Sequence, residues 1–225
     1  MTEMLLTVRG LRKSFGSDES AVPVLAELAF KLPAGGSLAL MGRSGSGKST
    51  LLNILCGLER PEAGELILFG QDYRRADWQQ LRRERIGVVF QEANLMPTLS
   101  LLDNVRLRAA LAGQPQSRGQ HWLDTLDIGE LAQRFPDQVS GGQRQRAALA
   151  MVFAMAPALI LADEPTGSLD RVTADDVADS LFRLQAETGC GLILATHDPE
   201  LASRCQRTLD LAHRAVDRDA GPPLP

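Results

Sequence analysis

The stretch from Gly42 to Thr50 constrains the fold of this chain more than any other, and it reads Gly-Arg-Ser-Gly-Ser-Gly-Lys-Ser-Thr. Its glycine spacing and its Lys-Ser pair fit the pattern G-x-x-x-x-G-K-[S/T] of phosphate-binding loops. An apolar run, Ser37 to Met41, precedes the stretch, and a mostly apolar run, Leu51 to Leu55, follows it. The sequence therefore predicts a strand, a glycine-rich loop and a helix in direct succession.

The residue types of this stretch suit the binding of phosphate groups. Gly42, Gly45 and Gly47 can adopt backbone angles that other residues avoid, so that successive N–H groups point into one concavity. The helix that begins near Lys48 directs its positive dipole end to the same place. Lys48 can reach the β- and γ-phosphates, and the Ser49 hydroxyl can ligate Mg²⁺. The alternative is a glycine-rich turn without a ligand.

Composition and charge exclude several classes of protein. Of the 225 residues, 44% are hydrophobic and 23% are charged, and the net charge of −4 gives no electrostatic argument for binding nucleic acid or an anionic membrane. The three cysteines, Cys56, Cys190 and Cys205, lie far apart, which predicts reduced thiols in a cytoplasmic protein and no metal site there. We expect no signal peptide, since the start, Met1 to Met4, has no basic n-region and no long apolar h-region. The longest apolar run, Ala147 to Ala162, contains Pro157 and is too short to span a bilayer, so we expect a buried helix followed by a buried strand.

The pattern along the chain predicts an α/β fold. Leu5 to Arg9 and Val24 to Leu32 form an expected antiparallel β-layer around a polar insertion, Gly16 to Ala21. Residues 100–156 are mostly helical and predict an inserted helical subdomain, with breaks near 113–119 and Pro136. The tail, residues 212–225, lacks periodicity and is expected to be frayed.

Between these regions, strands alternate with helices, which favours a mostly parallel sheet. We expect Thr173 and Asp176 to form a capping box. The predicted strands are Ser37–Met41, Glu65–Phe69, Ile86–Phe90, Leu159–Ala162, Gly191–Thr196 and Arg207–Leu211, and the predicted helices are Lys48–Leu58, Asp77–Arg85 and Thr173–Glu187.

Two carboxylates, Asp163 and Glu164, directly follow the predicted strand Leu159–Ala162. Ligands of parallel sheets collect at the carboxyl ends of the strands, where the glycine-rich loop is also expected. Asp163 can then contribute to the Mg²⁺ shell, and Glu164 can polarise an attacking water. Two acids after a strand can also be a solvated loop, but together with the phosphate-binding loop they favour nucleotide hydrolysis.

The segment Ser140-Gly141-Gly142-Gln143 begins the predicted helix Arg144–Met155. Its local interpretation is a helix start with Ser140 as N-cap and Gln143 as the reciprocal partner. Two glycines are not needed for a cap, and they leave the N–H groups accessible to a phosphate. Cap and anion site are both possible from the residues alone, and they are compatible.

Three more residues are candidates by position. His197 and Gln91 each follow a predicted strand, where a γ-phosphate, Mg²⁺ or a water could be contacted. A structural histidine and a surface hydrogen-bonding glutamine are the alternatives. Phe15 precedes the polar insertion and could stack on a nucleotide base or anchor the loop.

Taken together and in this order, these segments resemble the nucleotide-binding subunit of an ATP-binding cassette (ABC) transporter over nearly the whole chain. The matching motifs are the Walker A loop (Gly42–Thr50), the Q-loop glutamine (Gln91), the signature (Val139–Gln143), Walker B (Asp163 and Glu164), the D-loop (Ser168–Asp170) and the switch histidine (His197).

The resemblance implies one nucleotide-binding domain over residues 1–225, with a P-loop NTPase fold and a RecA-like core sheet. It implies ATP and Mg²⁺ as cofactors and a head-to-tail homodimer, in which Asp170 lines the seam and each ATP lies between Walker A and the partner's signature. Implied nucleotide contacts are Phe15, Gly42, Ser44, Gly45, Gly47, Lys48, Ser49, Thr50, Ser140, Gly141, Gly142, Gln143 and Asp170; implied Mg²⁺ ligands are Ser49, Gln91 and Asp163; and implied catalytic residues are Lys48, Gln91, Glu164 and His197.

The resemblance also implies integral membrane permease subunits as partners, with Glu92 to Leu102 as the contact. The chain would then lie on the cytoplasmic face of the inner membrane without inserting into it, and no nucleic acid partner is expected. Segments such as Leu95 to Leu99 are most similar to the LolD/MacB/YbbA branch, which drives lipoprotein release or efflux. Val139, where leucine is usual, and Met151, where arginine is common, depart from the pattern without removing a catalytic group.

Rival functions are disfavoured by particular features. ABC ATPases of DNA repair or translation usually carry long insertions or a second cassette, and this chain has neither. A nucleotide-dependent switch without hydrolysis would usually show a damaged Walker B or signature motif, whereas both are intact here. A small-molecule kinase would not need the signature Val139–Gln143.

Overall fold

The computed structural model describes residues 3–16 and 21–211. The chain divides into two compact units. The terminal unit comprises Met1–Leu81 and Gly191–Pro225, and the central unit comprises Arg82–Cys190. The tail expected to be frayed, residues 212–225, and residues 17–20 of the polar insertion lie outside the described residues.

The first half of the terminal unit is an antiparallel sheet, as predicted. Strands β1 (Met4–Phe15) and β2 (Val22–Pro33) are each longer than expected, and β1 also pairs with β4 (Ala63–Leu68). A short strand, β5 (Gln71–Asp72), pairs with β4 and completes the order β2-β1-β4-β5.

The terminal unit also contains parallel strands. Strand β3 (Ser37–Met41) pairs in parallel with β8 (Gly191–Thr196) and with β9 (Arg207–Asp210). Every residue of β8 is buried, which explains its unbroken apolar run in the sequence. The carboxyl ends of β3 and β8 therefore form one edge. A short helix, α7 (Pro199–Ser203), lies between β8 and β9 in the chain.

Helix α1 (Lys48–Leu55) follows the glycine-rich loop and ends three residues earlier than predicted. The chain leaves the helix at Gly57, whose φ of 71° is in the left-handed region that glycine tolerates. A Cβ at this position would clash with the Trp78 ring. Trp78 begins α2 (Trp78–Glu84), so close packing against this aromatic ring accounts for the glycine.

The central unit combines a parallel strand pair with helices. Strands β6 (Ile86–Val89) and β7 (Leu159–Asp163) pair in parallel, with Val89 opposite Ala162. Four helices belong to this unit: α3 (Leu101–Leu111), α4 (Arg118–Thr125), α5 (Gly141–Ala154) and α6 (Arg171–Thr188).

The helical content predicted for residues 100–156 is confirmed. Helices α3 and α4 both pack on α5, and the Trp122 ring of α4 stacks on Phe153 of α5 with 5.6 Å between ring centroids. The breaks occur where expected, between α3 and α4 and near Pro136. The apolar run Ala147 to Ala162 is, as predicted, a buried helix end followed by the buried strand β7. Within the described ranges, no helix has the length and apolar character to cross a membrane.

The start of α6 differs from its prediction. The N-cap is Asp170, whose carboxylate accepts a hydrogen bond from the Thr173 backbone N–H at 3.1 Å. The expected capping box of Thr173 and Asp176 is therefore wrong, because both residues lie inside the helix. A carboxylate N-cap and a threonine three residues later are equally compatible with this sequence, and here the earlier start is adopted.

The prediction of reduced thiols agrees with the structure, because Cys56, Cys190 and Cys205 are all buried and none of them forms a disulfide within residues 3–16 and 21–211. Burial raises the pKa of the Cys205 thiol to about 11, and it also raises the pKa of Cys190. The Cys190 and Cys205 thiols are therefore protonated, apolar core groups at neutral pH.

Candidate functional site

The glycine-rich loop of the terminal unit is a turn between β3 and α1. The Ser46 backbone N–H donates to the Arg43 carbonyl at 3.1 Å, and Gly45 adopts a φ of 80°. Gly42 and Gly47 have positive φ values of 154° and 97°. Residues with a side chain would be strained at these positive φ values, so the backbone conformation of the loop explains the glycine spacing of the motif.

The glycines at 42 and 47 are also required by close approach. A Cβ on Gly42 would clash with the Ser46 hydroxyl, and a Cβ on Gly47 would lie 2.9 Å from the Val24 side chain. Only glycine therefore fits at these two positions, beside the side chains of Ser46 and Val24. Gly47 also has no side chain to cap α1, so the first N–H groups of the helix face the loop without a side-chain cap.

Lys48 and Ser46 determine the polar character of the loop. The Lys48 ammonium donates to the Gly42 carbonyl at 2.7 Å and contacts the Arg43 carbonyl at 3.5 Å. The buried Ser46 hydroxyl has no hydrogen-bond partner within residues 3–16 and 21–211. A buried cation, an unsatisfied hydroxyl and an uncapped helix start together fit a phosphate group. Ser44 and Ser49 are exposed and Thr50 is half-buried, so their hydroxyls border the same loop.

His197 lies at the same sheet edge as the loop. Met41 of β3 is opposite Thr196 of β8, so Gly42 and His197 follow at equivalent levels. His197 is exposed, and the next residue, Asp198, caps α7. The terminal unit therefore brings together the glycine-rich loop and the histidine that the sequence singled out.

Phe15 ends β1 with 45% of its surface exposed. The Lys13 ammonium lies 4.9 Å from the centroid of its ring and also donates to Glu59 at 2.7 Å. An exposed aromatic face held beside a cation can stack on a planar ring. Base stacking and anchoring of the loop both stay predictions for Phe15.

The central unit places Asp163 and Glu164 at the carboxyl edge of its parallel pair. Asp163 is the last residue of β7 and is half-buried. Glu164 has a φ of 46°, and its carbonyl accepts a hydrogen bond from the Gly167 N–H at 3.0 Å. A left-handed conformation is strained for a glutamate, and such strain concentrates at functional sites.

Gln91 follows β6 and lies beside the loop that carries Glu164. A Cβ on Gly167 would be 3.2 Å from the Gln91 side-chain nitrogen. The Ser168 hydroxyl donates to the Gln91 carbonyl at 3.1 Å, and the buried Gln145 amide donates to the Phe90 carbonyl at 2.8 Å. The central unit therefore brings Gln91 together with the Walker B loop.

The start of α5 is a complete capping box, as predicted. The Ser140 hydroxyl accepts from the Gln143 N–H at 3.2 Å, and the Gln143 side chain accepts from the Ser140 N–H at 2.8 Å. Packing against α6 gives a further reason for glycine at one of these positions, and the sequence did not show it. Gly142 is buried, and a Cβ there would clash with the methyl group of Thr173 on α6. Gly141 is not restricted in this way, since its Cβ would lie 3.4 Å from Leu169.

Asp170 is exposed at the start of α6. Hydrogen bonds from the Thr173 hydroxyl and backbone N–H hold the pKa of its carboxyl below the usual range. The residue therefore stays ionised at neutral pH. It is available to a partner while it caps its own helix.

Sequence reasoning missed Asn104 of α3. Its buried amide nitrogen donates to the Met96 and Leu99 carbonyls at 3.1 and 3.2 Å, and its oxygen accepts from the Met96 N–H at 2.7 Å. These bonds fix the segment after Gln91. An available signal was a single asparagine on the buried apolar face of α3.

The two residues that depart from the family pattern, Val139 and Met151, lie on or next to α5. Val139 is buried, and its carbonyl accepts from the Arg144 guanidinium at 2.7 Å, an interaction that does not depend on the side chain at 139. Met151 is half-buried on α5.

Oxygen donors are the candidate metal ligands. No cluster of three or more His, Cys, Asp or Glu side chains occurs in the described part of the chain. Ser49 of the terminal unit offers a hydroxyl and Asp163 of the central unit offers a carboxylate, and Mg²⁺ takes oxygen ligands of both kinds together with waters and phosphate oxygens.

Comparison with known proteins identifies the family. The sequence profile of the ABC transporter family matches residues 25–167. The chain belongs to this family, and it is an ABC-type ATP-binding subunit with a P-loop NTPase fold.

The relatives agree with this assignment. The chain is 42% identical to the uncharacterized ABC transporter ATP-binding protein YbbA of Escherichia coli strain K12, over 97% of this chain and 99% of that protein. It is 40% identical to the lipoprotein-releasing system ATP-binding protein LolD of Paramagnetospirillum magneticum, over 92% and 95%. It is also 40% identical to the macrolide export ATP-binding/permease protein MacB of Rhodopseudomonas palustris, over 97% of this chain but 34% of that protein.

A solved structure supports the fold. The dimeric post-hydrolysis state of the ATP-binding cassette MJ0796 bound to ADP and Pi superimposes with a TM-score of 0.83 at 32% identity, covering 95% of this chain and 97% of that one.

Proposed function

We propose that two copies of this chain close around two ATP molecules and that hydrolysis reopens them, driving permease subunits in a membrane. The observation that carries the catalytic part is the location of Gln91 beside the strained loop of Glu164. An amide and a carboxylate at one edge can orient a water and accept its proton.

In the terminal unit, Lys48 and the loop N–H groups bind the β- and γ-phosphates. The buried Ser46 hydroxyl supports a phosphate at this loop, since it lacks a partner within residues 3–16 and 21–211. Phe15 stacks on the base, and His197 contacts the γ-phosphate. The phosphate contacts come from Gly42, Ser44, Gly45, Gly47, Lys48, Ser49 and Thr50.

Glu164 is the general base, and Asp163, Gln91 and Ser49 are the side chains that would hold Mg²⁺. When bound, the ion neutralises charge on the phosphates. Glu164 accepts the proton of the attacking water, and Gln91 orients that water. Positioning and charge stabilisation contribute most of the rate enhancement in such reactions.

The second half of each nucleotide site comes from the partner. It consists of Ser140, Gly141, Gly142 and Gln143 at the start of α5, where Ser140 is exposed and the helix start can approach a phosphate held by the other copy. Asp170 lies at the seam. A dimeric cassette among the structural neighbours supports this arrangement.

The permease is of the lipoprotein-release or efflux type, on the cytoplasmic face of the inner membrane. The printed names of the LolD and MacB relatives support this type. The segment Glu92 to Leu102 contacts the permease, and Met96 within it has 52% of its surface exposed while Asn104 fixes its backbone. Co-purification of a permease with the wild-type chain, and its loss in Met96→Asp, would test this surface.

The catalytic proposal is tested by Glu164→Gln, which keeps the size of the side chain and removes the base. We expect ATP binding within about twofold of the wild type and a fall in kcat of about 10³-fold. Glu187→Gln, on the exposed side of α6, is the matched control and should retain full turnover. If Glu164→Gln hydrolyses ATP at the rate of Glu187→Gln, Glu164 is not the base.

A further inference from the structure

We infer that Gln145 and Ser168 are positioning residues that hold Gln91 from two sides. The inference rests on the proposed function, in which Gln91 contacts Mg²⁺ and water. Gln145 donates to the carbonyl before Gln91, and Ser168 donates to the carbonyl of Gln91 itself.

The Gln145 side is a buried contact. Gln145 lies on α5 with 2% of its surface exposed, and its amide nitrogen is 2.8 Å from the Phe90 carbonyl. This carbonyl is the first after β6 ends at Val89. A strand pair no longer fixes the chain there, so the Gln145 amide determines where the peptide between Phe90 and Gln91 points.

The Ser168 side joins Gln91 to the Walker B loop. The Ser168 hydroxyl lies 3.1 Å from the Gln91 carbonyl, and the turn before it is closed by the bond from the Gly167 N–H to the Glu164 carbonyl at 3.0 Å. A Cβ on Gly167 would approach the Gln91 amide nitrogen to 3.2 Å. The side chain and the backbone of Gln91 are therefore both in contact with this loop.

This arrangement connects the start of α5 to Gln91. Gln145 follows Ser140 by five residues, little more than one turn of a rigid helix. A ligand that displaces Ser140 moves the Gln145 amide with it and changes the position of the Phe90 carbonyl. Ser168 keeps the next carbonyl aligned with the Glu164 loop, so the displacement acts on the orientation of Gln91.

A purely structural role is the alternative, and the chain contains a matched control. Gln185 of α6 is also a buried glutamine, with 6% of its surface exposed, and its amide donates to the Cys190 carbonyl at 2.7 Å. Gln185→Met and Gln145→Met thus remove the same kind of hydrogen bond. Only the hydrogen bond of Gln145 is made to the peptide that joins Phe90 to Gln91.

The test measures kcat and KM for ATP in purified wild-type and variant chains. Gln145→Met should lower kcat about fivefold, the effect of one buried hydrogen bond, and leave KM unchanged. Ser168→Ala should lower kcat about threefold, whereas Gln185→Met should lower only the thermal unfolding midpoint. In a Gln91→Ala background, neither Gln145→Met nor Ser168→Ala should lower kcat further, because their effects pass through Gln91.

Two results would overturn the inference. The first is a wild-type kcat in Gln145→Met, and the second is an equal fall of kcat in the Gln91→Ala background. If Gln145→Met does not fold, Gln145→Leu removes the donor with a smaller apolar side chain, and the same outcomes apply. If Gln91→Ala itself has a wild-type kcat, both the proposed role of Gln91 and this inference are wrong. If the effects of Gln145→Met and Gln91→Ala on kcat are additive, only this inference is wrong.

Discussion

Two helix starts in this chain are proposed to contact phosphate, and they are built differently. Helix α1 begins after Gly47 with no side-chain cap, next to a buried hydroxyl on Ser46 that is unsatisfied within residues 3–16 and 21–211. Helix α5 begins with Ser140 and Gln143 already satisfying each other. The first start needs a ligand to complete its hydrogen bonds, and the second does not.

The difference between the two helix starts predicts which of them binds the nucleotide first. The loop at α1 is preorganised for a phosphate, so we expect the separate chain to bind nucleotide there. A phosphate at α5 must compete with, or add to, a complete cap, so binding there depends on a partner that presents the nucleotide. The glycine-rich loop and the signature are therefore a primary and a conditional phosphate site.

The largest effect is expected at α1. Lys48→Ala removes the buried ammonium beside the Gly42 carbonyl, and a charge-assisted contact of about 1.5–3 kcal/mol predicts ATP affinity weaker by about 10- to 150-fold. Titration calorimetry of the monomer measures this change. Lys31→Ala in β2 is the control and should bind ATP as the wild type does. If Lys48→Ala binds ATP with the affinity of the wild type, the loop at α1 is not the primary phosphate site.

The next effect concerns the packing of α5. Gly142→Ala brings a methyl group against Thr173, and we expect a loss of about 1–3 kcal/mol of unfolding free energy in urea. Gly141→Ala has ordinary contacts and should be neutral or stabilising. Thr173→Ser, which keeps the hydroxyl, should restore stability to Gly142→Ala. Equal losses in both alanine variants would show that Gly142 is not a packing glycine.

These glycines show how far the sequence can predict the site. The phosphate loop, the strand β3 and the order of motifs follow from local patterns, because glycine spacing and apolar runs have direct backbone causes. The contact of Gly142 with Thr173 joins residues far apart in the chain, and no local pattern reveals it. The bonds of Gln145 and Asn104 to loop carbonyls are of the same kind, since a carbonyl has no signature in the sequence.

The fold shows the same division. The antiparallel layer, the parallel strands and the helices of residues 100–156 were predictable from periodicity. The ends of helices and strands were less predictable, because the early end of α1 depends on the contact between Gly57 and Trp78. The start of α6 was missed because two capping residues were compatible with it.

A smaller effect separates the two functions of Ser140. Ser140→Ala should lower the unfolding free energy by about 1 kcal/mol, the usual effect of a lost N-cap. Ser100→Ala removes the N-cap of α3, where the hydroxyl accepts from the Asp103 N–H, and should lower it similarly. Only Ser140→Ala should weaken ATP-dependent dimerisation, measured by analytical ultracentrifugation. Equal dimerisation of the two variants would contradict a conditional phosphate site at α5.

The smallest effect is expected from Asp170, the cap of α6. Its lowered pKa means that its contribution to stability is present above the unfolded pKa of about 3.9 and is lost as pH falls through the folded pKa. Asp170→Asn keeps a capping oxygen that does not titrate. The difference in unfolding midpoint between the wild type and Asp170→Asn should therefore be constant above about pH 5 and shrink as pH falls from about pH 4 through the lowered folded pKa. A difference independent of pH would contradict this source of stability.

The size of Glu164→Gln in solution, with and without ATP, tests the central claim most directly. Because turnover is blocked, ATP at the primary site should reach the conditional site of a second copy and remain there. We predict a monomer without nucleotide, a dimer with ATP, and a monomer under both conditions when Ser140→Arg is added. A dimer that forms with ATP despite Ser140→Arg would contradict the head-to-tail arrangement of the two helix starts.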